Sequence, residues 1–181
     1  MHHLANRRRI IGLAGAAGAG KDTVANLIPG ARRVGFADPL YEGLSALLGL
    51  PESILRDRRT KELPIAGLGR SPRELLQTLG TDWGREMVAP DVWLRIAYWR
   101  WERAAAEGAA VIAVPDVRFA NEAQAIREQG GEVWLVHRPD VAPVEAHASE
   151  AGLPLGLIDR LIANTGTVDQ LRERVETTFA R

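Results

Sequence analysis

The feature that most constrains this chain is a glycine-rich turn that lies between an apolar run and a helical pattern. Ile10–Ala14 is short and apolar, which is typical of a buried strand, and a helical pattern begins at Lys21. The turn between them places Gly15, Gly20 and Lys21 in the spacing G-x-x-x-x-G-K. Glycines allow successive backbone N–H groups to converge on phosphate oxygens, and the helix N-terminus and the lysine add positive charge. The pattern therefore predicts a phosphate-binding loop, or P-loop.

The residues after the lysine depart from the usual pattern. Asp22 stands where many such loops have a Ser or Thr that binds Mg²⁺, and Thr23 follows one position later, about 100° further around a helix. Either Asp22 approaches the metal, or it orients the loop while Thr23 contacts phosphate. The chain has 23 basic residues, and its only lysines are Lys21 and Lys61. A lysine at this position of the loop is therefore not generic surface charge.

Composition narrows the function classes. The chain has 181 residues, a formal net charge of zero and no cysteine. It is long enough for one domain with a real core, and disulfides and thiolate metal sites are excluded. Because there is no overall basic field, neither a nucleic acid polymer nor an anionic membrane is an expected partner. The basic start of the chain has no long apolar stretch behind it, so no signal peptide or membrane span is predicted and a cytoplasmic location is expected.

Short apolar runs alternate with helical patterns along the chain, which is typical of an α/β fold around a parallel sheet. Strands are predicted at Ile10–Ala14, Arg33–Ala37, Ala110–Val114, Glu132–His137 and Leu157–Ala163. We expect a single domain over residues 1–181, with a core at about residues 8–38 and 108–181 and a helical, substrate-binding insertion at about residues 39–107. Residues 57–70 are polar and glycine-rich, and are predicted to form a mobile loop. Lid motion that excludes water is a hypothesis for this segment or for the chain near Arg138.

A helix is predicted to begin after Ser71, because Ser71, Pro72 and Glu74 form a capping box with proline at the first helical position. Polar side chains then recur every four residues and so share one face. They are Arg73, Gln77, Thr81 and Arg85. Gly80 and Gly84 lie in the same segment, although a glycine inside a helix costs about 1 kcal/mol relative to alanine. These glycines predict the close approach of a ligand or of another backbone.

Charged residues follow the predicted strands where those strands end, and an open α/β sheet binds ligands at that edge. Asp38 follows the second strand; it is a candidate for a catalytic base, a contact to a sugar hydroxyl, or a plain helix cap. Asp116 follows the third strand and would hold Mg²⁺ through water, with Arg118 beside it. Arg138 follows the fourth strand and could act as an arginine finger supplied by the chain itself.

A P-loop does not by itself name a reaction, because switch GTPases, ATPases and small-molecule kinases share it. A kinase also needs a site for the acceptor, in line with the γ-phosphate. A phosphate acceptor needs arginines that hold two anions together, whereas a hydroxyl acceptor needs a carboxylate base. The middle of the chain is rich in cations, namely Arg56, Arg58, Arg59, Lys61, Arg70, Arg73 and Arg85. That abundance favours transfer between two anions.

Taken in order, several motifs resemble those of the deoxynucleoside monophosphate kinases of tailed bacteriophages and their prophages. The motifs are GKDT at Gly20–Thr23, FADPL at Phe36–Leu40, SPRELLQTLGTDWGRE at Ser71–Glu86, PDVRFANEA at Pro115–Ala123, HASE at His147–Glu150, and Asn164-Thr165-Gly166. The resemblance covers nearly the whole chain, and it includes the aspartate that follows the lysine. It implies an adenylate-kinase-like P-loop NTPase fold, with three α/β/α layers, a central parallel five-stranded sheet, and helical insertions that bind substrate and form a lid.

The resemblance also implies the ligands and their residues. ATP and Mg²⁺ would be the cosubstrates, and a (deoxy)nucleoside 5′-monophosphate would be the acceptor, giving ADP and the diphosphate. The ATP site would comprise Gly15, Gly18, Ala19, Gly20, Lys21, Asp22 and Thr23, with Asn164 near the adenine. The acceptor site would comprise Phe36, Asp38, Lys61, Arg73, Gln77, Thr81 and Arg85. The reacting phosphates would meet Lys21, Asp116, Arg118 and Arg138, and the metal ligands would come from Asp22, Thr23 and Asp116.

Two other functions are compatible with the same residues. The first is a kinase directed at a hydroxyl group, similar to dephospho-coenzyme A kinase, with Asp38 as its base. The second is a regulatory or packaging-associated module that binds ATP without transferring phosphate. A homodimer is a further hypothesis, because the helix predicted from Asp91 to about Glu107 carries several tryptophans, although core packing is the expected use of those rings. His147, Ser149 and Glu150 match the family motif without an assigned chemical role.

Overall fold

The computed structural model describes residues 8–139 and 153–181, and these form two compact units. The first unit comprises the described residues up to Gly35 and from Ala97 onward, and the second comprises Phe36–Ile96. The predicted motif at His147–Glu150 lies outside the described residues. None of the described helices is both long and apolar enough to cross a membrane.

The first unit is built on a sheet of five parallel strands in the order β2-β3-β1-β4-β5. The strands are β1 (Arg9–Ala14), β2 (Ala31–Arg33), β3 (Val111–Val114), β4 (Glu132–His137) and β5 (Arg160–Ala163). Strand β1 lies at the centre, and its Gly12 is in register with Val114 of β3 and Val133 of β4. The predicted parallel five-stranded sheet is confirmed.

Helices cover both faces of this sheet. Helices α1 (Lys21–Leu27) and α7 (Val168–Phe179) pack on one face, through a buried apolar cluster that includes Leu13. Gly12 faces the other side, because neighbouring side chains of a strand alternate between faces. An added Cβ at Gly12 would lie 2.5 Å from Cδ1 of Ile126 in helix α6 (Ala120–Glu128), so only glycine lets that helix approach β1 so closely. The result is a helix–sheet–helix arrangement of three layers.

The second unit is helical. Its elements are α2 (Asp38–Leu48), α3 (Glu52–Arg56), α4 (Pro72–Gln77), a π-helix (Thr78–Val88) and the start of α5 (Val92–Ala106), a helix with residues in both units. Residues 57–70 form turns and contain no helix or strand. Whether that segment moves as a lid stays a prediction.

Helix α4 begins as predicted and then changes its hydrogen bonding. The Ser71 hydroxyl accepts the Glu74 N–H (3.3 Å), and the Glu74 carboxylate accepts the Ser71 N–H (2.8 Å), which completes the capping box. From Thr78 onward the chain is a π-helix, whose N–H groups bond to carbonyls five residues earlier, as the Ala89 N–H does to the Gly84 carbonyl (3.0 Å). Such helices are rare and occur frequently at functional sites. The sequence pattern predicted the helix but not its wider turn.

The second strand was predicted at Arg33–Ala37, and that placement is wrong, because β2 spans Ala31–Arg33. Among the described strands, β2 lies at the edge of the sheet and pairs only with β3. Its arginine side chains are exposed, and Arg32 forms an ion pair with Glu107 (2.6 Å). An edge strand with polar side chains lacks the apolar pattern by which strands are recognised, so its position was shifted in the prediction.

The last strand begins later than its predicted start at Leu157. A short 3₁₀ helix occupies Leu155–Leu157, and β5 begins at Arg160. Between them, the Asp159 backbone N–H donates to the Val133 carbonyl, and the Asp159 carboxylate accepts the Val133 N–H, both at 2.8 Å. A side chain thus replaces a ladder bond at the beginning of the strand, which explains an aspartate at that position.

The tryptophans of α5 divide between the core and the surface. Trp93 is 7% exposed and Trp101 is fully buried, with its indole N–H donating to the Val34 carbonyl (3.3 Å). Trp99 is 71% exposed. Core packing is therefore the role of two of the three rings, as predicted.

Candidate active site

Predicted site residues in the first unit follow the C-terminal ends of its strands. Strand β1 leads into the P-loop, β3 into Asp116, β4 into Arg138, and β5 into Asn164. Because every strand is parallel, these ends lie along one edge of the sheet. The chain after β1 runs through α1 to β2 on one side of the sheet, whereas the chain after β3 runs through α6 to β4 on the other side. In a parallel sheet such a switch point opens a crevice for ligands.

The loop after β1 has a tight conformation that depends on glycine. Gly15, Gly18 and Gly20 have φ angles of 135°, 84° and 99°, which residues with a side chain rarely adopt. Gly15 also packs directly on the Val136 carbonyl of β4, which leaves no space for a Cβ atom. The Lys21 ammonium donates to the carbonyl of Gly15 (2.5 Å) and to the next carbonyl along the chain (2.9 Å). The Lys21 charge therefore lies against the backbone of the loop, and phosphate binding there stays a prediction.

The two candidate metal ligands after the lysine have different surroundings. The Asp22 carboxylate accepts a hydrogen bond from Arg33 at the end of β2, with Nη2 and Oδ1 2.5 Å apart. The Asp22 side chain is 73% exposed, so this ion pair is a weak, solvent-screened one. Thr23 is also exposed, on the first turn of α1. Asp22 thus pairs with a cation of β2, and its role in binding the metal or orienting the loop stays a prediction.

Asp116 and its loop are held from two sides. A Cβ added at Gly35 would lie 2.9 Å and 3.0 Å from the two carboxylate oxygens of Asp116, so glycine is needed for that carboxylate to reach the chain after β2. Glu122, only 3% exposed, accepts the backbone N–H groups of Arg118 (2.8 Å) and Phe119 (3.1 Å). Sequence reasoning missed Glu122. The available signal was a glutamate at the third position of α6, which commonly reaches back to the residues before its helix.

The remaining predicted residues of the first unit have distinct positions. Arg118 and Arg138 are exposed at the edge of the sheet, after β3 and β4. Asn164 contacts the P-loop itself, because its side-chain Nδ2 donates to the Ala19 carbonyl (2.8 Å). Among the described residues, no group of three or more His, Cys, Asp or Glu side chains could hold a metal ion by itself.

In the second unit, Asp38 belongs to a charged cluster around Arg56. The Arg56 guanidinium contacts the carboxylates of Asp38 and Glu52, both at 3.0 Å, and lies 3.8 Å from the centre of the Tyr41 ring. Burial lowers the pKa of Arg56, but hydrogen bonds and charges from Glu52 and Asp38 outweigh burial and raise that pKa above its ordinary value. Arg56 was counted among the middle-segment arginines without an assigned role. The structure identifies it as a partner of Asp38.

The predicted polar face divides between two kinds of helix. Arg73 and Gln77 lie on α4, whereas Thr81 and Arg85 lie on the π-helix. The first three are exposed and Arg85 is partly buried. The residue Lys61 is joined to this face, because its carbonyl accepts the Arg73 N–H (3.0 Å). Phe36, also predicted to line the acceptor site, is only 4% exposed.

The two helix glycines are explained by side chains of the same unit. The Trp93 indole N–H donates to the Gly80 carbonyl (2.7 Å), and a Cβ at Gly84 would lie 2.7 Å from Cε2 of that indole. A Cβ at Gly80 would lie 3.2 Å from Cδ1 of Leu40. The predicted close approach exists, but it is made by the side chains of Trp93 and Leu40, where a ligand or another backbone was expected.

A parallel sheet with a glycine-rich, lysine-bearing loop after its central strand defines a P-loop NTPase fold, as the sequence predicted. A solved dephospho-CoA kinase from Campylobacter jejuni has the same architecture, with a TM-score of 0.51 over 94% of this chain and 95% of that chain. The two sequences are 12% identical, so this likeness concerns the fold alone.

Within this class of proteins, the chain belongs to the deoxynucleotide monophosphate kinase family, whose model matches residues 69–175. It is 31% identical to a protein of that kind from Acanthamoeba polyphaga mimivirus, over 92% of this chain and 93% of the relative. It is 28% identical to the deoxynucleoside-5′-monophosphate kinase of Escherichia phage T5, over 86% of this chain and 89% of the phage protein. The family predicted from the motifs is confirmed.

Proposed function

We propose that this chain transfers the γ-phosphoryl group of ATP to the 5′-phosphate of a deoxynucleoside monophosphate, with Mg²⁺ as the metal. The observation that carries the proposal is the P-loop, in which the Lys21 ammonium lies 2.5 Å from the Gly15 carbonyl among glycines with positive φ. Family membership supports the class of acceptor, because the similar protein of phage T5 is a deoxynucleoside-5′-monophosphate kinase.

The proposed reaction needs no general base. An oxygen of the acceptor's 5′-phosphate attacks the γ-phosphorus, the bond from that phosphorus to the β–γ bridging oxygen breaks, and ADP leaves with the electron pair. The product is the nucleoside diphosphate. The attacking oxygen already carries negative charge near neutral pH, so no proton has to be removed. The protein's task is to hold two anions in line and to stabilise the charge that develops between them.

On the donor side, the lysine and the edge arginines supply the positive charge. When the triphosphate binds, the Lys21 ammonium would exchange its contacts with loop carbonyls for contacts with phosphate oxygens. Arg118 and Arg138, exposed at the same edge of the sheet, are assigned to the charge of the transferring group. The Thr23 hydroxyl and the Asp116 carboxylate are oxygen donors, which is the ligand chemistry that Mg²⁺ requires. When bound, Mg²⁺ would neutralise β- and γ-phosphate oxygens.

On the acceptor side, we assign the monophosphate to the polar face of α4 and the π-helix, which carries Arg73, Gln77, Thr81 and Arg85. Arginine suits this role because its planar guanidinium binds phosphate through two hydrogen bonds. Asp38 would accept a hydrogen bond from the nucleoside, since Arg56 holds its carboxylate in place at 3.0 Å. Two of these residues, Thr81 and Arg85, lie on the π-helix, which supports the assignment because such helices are frequent at functional sites.

The proposal extends to partners and location. Small nucleotides are the proposed ligands, and nucleic acid polymers are excluded from it because the formal net charge is zero. The corresponding location is the cytoplasm, where nucleotides and ATP are present.

A homodimer through α5 would use Trp99, which is 71% exposed. Sedimentation of the parent and of Trp99→Ser would test this: a dimer that Trp99→Ser leaves intact would contradict the use of that ring.

The test is ADP formation from ATP and Mg²⁺ with each of the four deoxynucleoside monophosphates and their ribose counterparts. ADP should form only when an accepted monophosphate is present. Lys21→Met keeps the side-chain length and removes the charge, and should lower kcat by a factor on the order of 100 or more. Arg103→Met is the matched control, because it removes an exposed cation of α5 that pairs only with Glu107 among the contacts described.

Two results would contradict the proposal. The first is ADP formation at the same rate with and without monophosphates, which would indicate a module that only hydrolyses or binds ATP. The second is a Lys21→Met protein as active as the parent. Asp38→Asn separates the hydroxyl-directed alternative: loss of all turnover would favour that alternative, whereas a raised KM for the monophosphate with retained kcat agrees with the proposal.

A further inference from the structure

Asn164 joins the end of the sheet to the P-loop through two hydrogen bonds, and its side chain lies close to Gly20. Its backbone N–H donates to the His137 carbonyl at the end of β4 (2.7 Å), which fixes the position of the residue. Its side-chain Nδ2 donates to the Ala19 carbonyl (2.8 Å). A Cβ added at Gly20 would lie 2.5 Å from the same Nδ2 atom, so the amide group fills the space beside that glycine.

The bond to Ala19 sets the direction of one peptide group in the loop. A trans peptide is planar, so its C=O and the following N–H point in opposite directions. Because the Ala19 carbonyl is directed at Asn164, the Gly20 N–H is directed away from Asn164. Ala19 is only 1% exposed, so water has little access to replace the asparagine. Without this bond the 19–20 peptide could rotate, and the Gly20 N–H would lose its fixed direction.

We propose that Asn164 is a positioning residue of the P-loop, which orients the Gly20 N–H toward the phosphates of the donor nucleotide. The proposal rests on the proposed phosphate-binding role of the loop. It differs from the prediction that Asn164 lies near the adenine. The amide nitrogen that would recognise a base instead donates to the Ala19 carbonyl. Asn164 therefore acts on the binding of the phosphates, which all nucleoside triphosphates share.

The experiment compares donors that differ only in their base. The parent, Asn164→Ala and Asn164→Asp are assayed with ATP and with GTP at saturating monophosphate, and then with the monophosphate varied at saturating ATP. We expect kcat/KM to fall by the same factor for both triphosphates, about 10-fold for the loss of one such hydrogen bond. The KM of the monophosphate should change by less than about 2-fold, because the bond that is removed lies in the donor loop. A 2-fold change corresponds to much less free energy than one hydrogen bond contributes.

Two variants sharpen the comparison. Asn164→Asp keeps the size of the side chain but places a carboxylate against the Ala19 carbonyl, so it should be at least as impaired as Asn164→Ala. Thr165→Ala is the matched control. Thr165 is the next residue and accepts a hydrogen bond from Arg174 (3.0 Å), which lies on α7 and not in the loop. Thr165→Ala should leave both donor parameters unchanged.

Each other outcome overturns the inference. A loss confined to ATP would mean that Asn164 reads the adenine. Unchanged kinetics in both variants would mean that the loop keeps its conformation without the bond. Equal losses for donor and monophosphate, together with a lowered Tm, would mean a general role in folding. If the parent formed no ADP with any monophosphate, the proposed function would fail separately. Calorimetric affinities for ATP and GTP in the same variants would then still test the role of Asn164.

Discussion

Replacing Gly84 by alanine should destabilise this protein, although the same change usually stabilises a helix by about 1 kcal/mol. In the π-helix, a Cβ at Gly84 would lie 2.7 Å from Cε2 and 2.8 Å from Nε1 of Trp93. Non-bonded carbon atoms are best separated by about 3.5–4.0 Å, so the ring or the helix has to move. Trp93 is 7% exposed and its indole N–H is bonded to the Gly80 carbonyl (2.7 Å), so the ring cannot move without losing that bond.

The magnitude follows from three contributions. Overpacking of a filled site costs about 1–3 kcal/mol, and loss of the indole bond adds about 1 kcal/mol. The ordinary helix preference for alanine offsets about 1 kcal/mol of this. We therefore expect the free energy of unfolding of Gly84→Ala to fall by about 1–3 kcal/mol. For a chain of this size, the corresponding decrease in Tm is about 2–12 °C.

Urea unfolding followed by circular dichroism would measure this change. Gly43→Ala in α2 is the matched control, because beyond its chain neighbours and the backbone of its own helix a Cβ there meets nothing within 4 Å. That substitution should raise the free energy of unfolding by about 0.5–1 kcal/mol. In a Trp93→Phe background the smaller ring leaves more space, so Gly84→Ala should cost less there, and a double-mutant cycle reports the difference. A Gly84→Ala protein at least as stable as the parent would refute the reasoning.

Three further predictions concern single side chains. Glu122→Gln should lower kcat and reduce the free energy of unfolding by about 1–3 kcal/mol, because a buried carboxylate that accepts two N–H groups becomes a neutral amide. Activity assays and urea unfolding would measure the two effects, and an unaltered kcat would contradict the role of Glu122 in fixing the Asp116 loop. Burial raises the pKa of Glu132, but hydrogen bonds from Trp134 and Arg160 and the charges of Arg9 and Arg160 outweigh burial and lower that pKa. A lowered pKa in the folded state contributes stability above the unfolded value of about 4.3, and this contribution is lost as the pH falls through the folded pKa. Glu132→Gln should therefore flatten the acid limb of the stability curve, and an acid limb as steep as the parent's would count against this network. Arg56→Ala should raise the KM of the monophosphate at least several-fold with little change in the KM of ATP, because Asp38 loses the cation that lies 3.0 Å away. Equal changes in both KM values would contradict the assignment of Asp38 to the acceptor site.

The candidate site was only partly predictable, and the residues that were missed share a property. Lys21 and the loop glycines were identified because their spacing is local and its chemistry is strict. Glu122 accepts backbone N–H groups of the preceding loop, and Arg56 pairs with the carboxylate of Asp38, 18 residues earlier in the chain. Glutamate and arginine are common residues, so neither stands out in a sequence. Asn164 was recognised as a site residue, but the contact of its amide with Ala19 joins positions 145 residues apart. No local pattern contains such a contact.

The sequence by itself determined the succession of strands and helices along the chain, the glycine-dependent turn after β1, the capping box at Ser71 and the kinase family. Each of these follows from short-range chemistry: hydrophobic period, the φ angles that only glycine adopts easily, and hydrogen bonds between residues three or four apart. The tertiary structure alone decided that the chain after Thr78 is a π-helix, and that Trp93 and Leu40 are what its glycines accommodate. It also decided that β2 is a polar edge strand and that the Asn164 amide contacts the Ala19 carbonyl. These features depend on which distant groups come into contact, and packing outweighs local preference wherever the two disagree.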